Sequence, residues 1–197
     1  ISPPLLALHT LTNSTMSFIA QYTGIKGNNA TYGSTSYAGF QAINQGMIDV
    51  ELNTNHAVCV TSNGGGEYSF LVNSAHRTDL TDWKEGAASG AILLGNNAEH
   101  GLAKIDKLES KPNDSLNAEI QRDWERFLTD SDAEAIIVSG AYTSSENVAD
   151  LNYCKSFNSH VYSNFEKYGN LGSSNVVCSI DTGINSNFRS ILQTPLN

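Results

Sequence analysis

The run AIIV at residues 135–138 is a short, continuous apolar stretch that sets the predicted fold class of the chain. Four such residues between polar flanks are typical of a strand buried on both faces. A helix-start signature, TSSE, follows at 143–146, where the threonine oxygen and the glutamate carboxylate each satisfy a free backbone amide. Apolar residues then recur at helical spacing as far as Tyr168, and a last strand is predicted over 176–180. This part of the chain is therefore predicted as strand, helix, strand.

Further strands are predicted upstream of this unit. Apolar and polar residues alternate from Ile48 to Leu52, which is typical of a half-buried strand. Residues 56–62 and 67–73 flank the loop NGGG, whose glycines can adopt positive φ angles. These two segments are therefore predicted to pair as a β-hairpin.

Helical patterns occupy much of the remaining chain. They are predicted over four segments, namely 14–22, 36–45, 78–109 with a break at Gly95, and 112–128. Strands and helices in this order predict an α+β fold, an α/β sandwich with a mainly antiparallel sheet of about five strands packed by three to four helices. A length of 197 residues suits a single domain, with an irregular N-terminal arm over 1–46 and the sandwich over 47–197.

Composition excludes two classes of function. The net charge is −9, only 16% of the residues are charged, and no basic run occurs. Binding to nucleic acid or to anionic lipid needs a cluster of Lys and Arg, so neither is predicted. The hydrophobic fraction of 40% is sufficient for a packed core, and no apolar stretch reaches the roughly 18 residues of a membrane helix.

Three Asn-x-Ser/Thr triplets, which begin at Asn13, Asn29 and Asn113, match the acceptor pattern for N-glycosylation. The chain also begins at Ile1 and not at methionine, which is typical of a processed protein. Both observations favour a secreted, extracellular glycoprotein. The alternative is chance, because triplets of this kind arise readily in a chain rich in Asn, Ser and Thr.

The three cysteines, Cys59, Cys154 and Cys178, all fall on apolar faces of predicted elements. They are interpreted either as buried free thiols or, in an oxidising compartment, as one disulfide and one remaining thiol. A bond from Cys154 to Cys59 or to Cys178 is the favoured pairing, and the third thiol would be buried or pair with another chain. Because no Cys/His ligand spacing occurs, neither a metal nor a cofactor is predicted.

Catalytic candidates are weak. His76 lies between a predicted strand and a predicted helix, where it could act as a general base that Asp79 orients. The favoured interpretation makes Asp79 a helix cap and His76 a loop residue, because this spacing is not diagnostic of a triad. His100 follows Glu99, but no HExxH motif is present.

The segment GAASGAILLG at residues 86–95 is uncharged, small and apolar. It is predicted as a helix packed closely in the core. Entry into a membrane or a partner groove is the alternative, although ten residues are too few to span a bilayer.

Without a catalytic signature, binding is favoured over catalysis. The first hypothesis is a secreted glycoprotein toxin or effector that acts on other cells by binding or membrane disturbance. The predicted α/β sandwich resembles the architecture of fungal killer toxins, at the level of fold only. The alternatives are a secreted hydrolase with a His/Asp site and a fragment of a surface or capsid protein. The expected partners are a cell-surface or membrane target or another protein chain, and a disulfide-linked or non-covalent oligomer is a further expectation.

Overall fold

The fold is that of a computed structural model, which describes part of the chain. The described residues are 13–33, 37–52, 55–64, 84–106, 108, 125–126, 129, 133–139, 152, 154–156, 160–186 and 191–195. Predictions that fall on the other residues, among them the strand at 67–73 and most of the helix at 112–128, lie outside the described part of the chain.

Four helices are described. They are α1 (Ser14–Thr23), α2 (Ala38–Leu52), α3 (Phe165–Tyr168) and α4 (Asn175–Ile184), with short 3-10 turns at Ala98–His100 and Gly172–Ser174. The predicted helix at 14–22 is confirmed, and it ends at Gly24, whose φ of 72° suits a glycine after a helix.

Helix α2 is longer than its sequence prediction and includes the predicted strand from Ile48 to Leu52. That strand is wrong, because Met47 and Val50 continue the helical spacing of the buried Phe40 and Ile43. Ile48 and Leu52 lie on the exposed side of the helix.

Strands β1 (His56–Asn63) and β2 (Ala88–Gly95) form a two-stranded antiparallel sheet in which Cys59 lies opposite Ile92. The predicted helix over 78–109 is therefore wrong across residues 88–95. The small residues of this stretch pack closely against a neighbouring element, as expected, but they do so from a strand and not from a helix. A Cβ atom on Gly90 would come within 2.7 Å of the Val177 side chain.

A second sheet is parallel and contains β3 (Ala135–Ser139), β4 (Val161–Ser163) and β5 (Ile191–Pro195) in the order β4-β3-β5. The AIIV strand is confirmed, and its residues from Ala135 to Val138 are at most 3% exposed. β4 interrupts the predicted long helix, since Val161 and Tyr162 pair with Ile136 and Ile137 of β3. The last predicted turn is helical and forms α3.

The predicted strand at 176–180 is also wrong, because these residues belong to α4. The last strand is instead β5, which lies beyond the last predicted element. The outcome is a mixed α+β fold. Its five described strands form two sheets, one antiparallel and one parallel, so a sandwich with one mainly antiparallel sheet of about five strands is not confirmed among the described residues.

A core cluster forms where α2, β1 and α4 meet. Its buried members are Phe40, Ile43, Cys59 and Val176. α4 also contacts β3 and β5, so this helix bridges the two sheets. The predicted division at residue 46 falls inside α2, and the assignment of 1–197 to a single domain stays a prediction. No helix within the described ranges has the length and apolar character needed to cross a membrane.

Candidate functional site

The first turns of α2 and α4 meet directly. Gly39 is the second residue of α2, and a Cβ atom there would collide with the Ser173 carbonyl oxygen and with the Val176 side chain. Only glycine therefore allows this approach. At the start of α4 the N–H groups of Gly172, Ser174 and Asn175 are already paired, with the Asn170 side-chain oxygen and with the Leu171 and Gly172 carbonyl oxygens.

The strands of the first sheet hold the start of α4 in place. The Ser174 hydroxyl donates to the Ala88 carbonyl oxygen at 2.9 Å, and the Ser173 hydroxyl donates to the Ser62 carbonyl oxygen at 3.3 Å. The Asn63 amide donates to the Gly86 carbonyl oxygen at 3.0 Å. Residues 172–174 are thereby fixed against both β1 and β2.

Two buried polar atoms near this contact have no hydrogen-bond partner among the described residues. They are the Thr61 hydroxyl on β1 and the Asn175 side-chain amide nitrogen in the first turn of α4. Thr61 is 4% exposed and Asn175 is 2% exposed. Buried polar groups are rarely left unpaired, so these atoms offer unused hydrogen-bonding capacity.

We define the helix-start junction as Gly39, Thr61, residues 172–174 and Asn175. The Thr61 hydroxyl and the Asn175 amide nitrogen can each donate a hydrogen bond to a carbonyl or anionic oxygen. Both groups are buried, and the hydroxyls of Ser173 and Ser174 lie in the junction beside them.

All three cysteines are free, so the predicted disulfide is wrong. Cys59 faces α2 and donates to the Ala42 carbonyl oxygen at 3.4 Å. Burial, together with the Asp49 carboxylate, raises the pKa of the Cys59 thiol to about 11. Burial and then Asp181 raise the pKa of Cys178, and Cys154 is fully buried. None of these thiols has the electropositive, accessible setting of a reactive thiolate.

Two of the three candidate catalytic residues, His76 and Asp79, lie outside the described residues, so their pairing stays a prediction. His100 ends the 3-10 turn Ala98–His100 and is exposed. The described part of the chain contains no group of three His, Cys, Asp or Glu side chains that could hold a metal ion.

Of the predicted glycosylation sites, Asn13 and Asn29 are exposed, and Asn113 lies outside the described residues. The sequence prediction missed the helix-start junction. The signal was the run GSSN at 172–175, since Ser and Asn are preferred at helix starts, but the apolar residues after it were interpreted as a strand.

No family model matches the chain, and no curated protein matches it. A solved structure does: a chain of the AntDE:AntF complex, whose description is "type II PKS acyl-carrier protein in complex with its ketosynthase bound to the hexaketide". The two folds superpose with a TM-score of 0.73 at 12% sequence identity. The similarity covers 97% of this chain but 62% of the neighbour, so this chain spans about three fifths of the neighbour's length. At this identity the likeness shows the fold.

This similarity corrects the functional predictions. The fold is that of a chain from a polyketide-synthase complex, and it replaces the architecture on which the killer-toxin analogy depended. The secreted glycoprotein toxin, the secreted hydrolase, the surface or capsid fragment and the extracellular location are wrong. The glycosylation sites at Asn13, Asn29 and Asn113 stay predictions.

Proposed function

We propose that this chain is a protein-binding component of an acyl-carrier assembly and that it contributes by non-covalent binding. The observation that carries the proposal is the fold similarity over 97% of the chain to a member of an acyl-carrier–ketosynthase complex. Its partner is then a protein chain of such an assembly. Within the complex, this chain would supply a docking surface and a site for the carried acyl group.

The state of the thiols supports a non-covalent role. Acyl transfer through a covalent intermediate needs an activated nucleophile, and for cysteine this means a lowered pKa. Here the pKa of Cys59 is raised to about 11, the pKa of Cys178 is also raised, and Cys154 is fully buried. The Cys59 and Cys178 thiols are therefore protonated at neutral pH, and the Cys154 thiol is inaccessible because it is buried.

The helix-start junction supports the binding of an acyl group. A thioester carbonyl is a neutral acceptor whose oxygen carries partial negative charge. The junction offers the Thr61 hydroxyl and the Asn175 amide nitrogen, which have no hydrogen-bond partner among the described residues. Such donors can orient a carbonyl oxygen.

Calorimetric titration tests the proposal. The purified protein is titrated with an acyl carrier protein from a type II polyketide synthase, once loaded with a hexanoyl thioester and once unloaded. We expect saturable binding that is tighter for the loaded form. Asn175→Ala should remove the advantage of the loaded form, and Asn185→Ala, at the exposed end of the same helix, should not. Equal heats of binding for the acyl carrier protein and for an unrelated acidic protein would refute the proposal.

Intact mass measurement separates binding from covalent chemistry. After incubation with the loaded carrier we expect an unchanged mass. A hexanoyl adduct that disappears on replacement of a cysteine would show that the chain is a covalent catalyst.

A second candidate is that the chain itself carries the acyl group, because the similar structure is described as that of an acyl-carrier protein complex. This candidate predicts a covalent mass increase in protein purified from its own cells. An unmodified mass would exclude it and leave the binding role.

A further inference from the structure

An open cavity of about 260 Å³ lies beside the first turns of α2. Its walls come from three separate parts of the chain: the loop residue Tyr32, the side of α2, and Leu108. It lies next to Phe40 and Gln41, whereas the helix-start junction uses the neighbouring Gly39. The start of α2 thus has two distinct functional sides.

The lining combines aromatic rings with side-chain amides. Tyr37 and Phe40 stack with their ring centroids 5.8 Å apart and an interplanar angle of 22°. Gln41, Asn44 and Gln45 contribute amides, which both donate and accept hydrogen bonds. An apolar surface beside amide groups fits a ligand that has both an alkyl or aromatic part and an amide.

Charge narrows the class of ligand further. Among the lining residues that the structure describes, none is charged. The Gln45 amide nitrogen donates to the Asp49 carboxylate at 3.0 Å, which holds the Gln45 side chain in one orientation. The whole chain carries a net charge of −9, which disfavours an anion in a site without a cation.

We propose that this cavity binds the neutral, amide-bearing end of an alkyl chain. Stacked Tyr37 and Phe40 receive the alkyl segment, and Gln41 and Asn44 hydrogen-bond the amide. At about 260 Å³ the cavity lies below the usual range of ligand pockets, so it holds one segment of a longer molecule that extends through its open side. This inference does not depend on the protein partner proposed above, because it concerns a small-molecule site on the isolated chain.

Three probes that share a six-carbon chain and differ in charge test the proposal: N-ethylhexanamide, hexanoate and hexylamine. Binding to the purified full chain is followed by NMR titration of its amide signals. We expect saturable binding of N-ethylhexanamide, with a dissociation constant at least about fivefold below those of the two charged probes, as for one additional hydrogen bond. Signals of residues around Tyr37 should shift most.

Matched substitutions locate the site. Gln41→Leu and Asn44→Leu change exposed side chains, so the fold should tolerate them, and each should weaken binding of the amide about fivefold. Gln21→Leu makes the same chemical change on the exposed surface of α1 and should leave binding unchanged.

Four outcomes would overturn the inference. Absence of saturable amide binding would show that the cavity takes no such ligand. Equal affinity for the three probes would show non-specific partition, and tightest binding of hexylamine would indicate a cation site formed by the aromatic rings. Equal weakening by Gln21→Leu would place binding elsewhere.

Discussion

A single methyl group at Gly39 decides whether the starts of α2 and α4 can meet. In Gly39→Ala the new Cβ would collide with the backbone oxygen of Ser173, which cannot rotate away. We expect a loss of about 3 kcal/mol or more in the free energy of unfolding, as for an overpacked core, measured by urea denaturation.

Gly64→Ala is the matched control, because no atom lies within 4 Å of the added Cβ. Its stability should stay within about 0.5 kcal/mol of the original protein. Equal stability of the two variants would mean that the helix starts do not touch.

The Thr61 hydroxyl is buried without a partner among the described residues, so its removal should stabilise the fold. Thr61→Val keeps the shape and relieves the desolvation penalty of an unpaired group. We expect a gain of about 1 kcal/mol in unfolding free energy, seen as a higher melting temperature. A loss of stability would show that the hydroxyl is hydrogen-bonded in the protein.

The Cys59 thiol should make stability depend on pH in the alkaline range. Its pKa rises from 9.0 to about 11 on folding, so between these values the folded protein binds more protons than the unfolded chain. The free energy of unfolding should then fall as the pH rises from 9 to 11, by about 2 to 3 kcal/mol.

Cys59→Ser provides the comparison, because its hydroxyl does not titrate in this range. Other groups titrate there too, so the informative quantity is the difference between the two stability curves. Parallel curves from pH 9 to pH 11 would show that the thiol is not desolvated.

The central parallel strand β3 is where sequence and structure agree best. Ile136 is 2% exposed between two neighbouring strands, so Ile136→Ala should cost about 2 to 5 kcal/mol in unfolding free energy. Val58→Ala, on the 45% exposed face of β1, should cost less than about 1 kcal/mol. If urea denaturation gave comparable losses of unfolding free energy for the two variants, the face of β1 that carries Val58 would be covered.

The same comparison explains what the sequence could predict. AIIV predicts its strand because consecutive β-branched residues favour a strand buried on both faces. Residues 176–180 (VVCSI) are also mostly apolar, but they form part of helix α4, where Val176 packs against α2 and β1. Short apolar runs fit both periods, and only contacts distant in sequence decide between them.

The helix-start junction could not be predicted for the same reason. Gly39 and Ser173 are far apart in the sequence, and nothing local indicates that they touch. The sequence allowed the free thiols to be predicted, since buried thiols on apolar faces were one of the two alternatives. The disulfide was favoured only because an oxidising, extracellular location had been inferred, and not because of the geometry of the cysteines.

Helix α4 should make the two sheets unfold together. It contacts β2 on one side and β3 and β5 on the other, and its Val176 is buried in the cluster of α2 and β1. If 1–197 is a single domain, Val176→Ala should lower the protection of β1 and β3 amides against hydrogen exchange by the same free energy, about 2 kcal/mol. Because β3 lies outside the Val176 cluster, it can respond only through cooperative unfolding. A decrease confined to β1 would mean that the antiparallel and parallel sheets are separate folding units joined by α4.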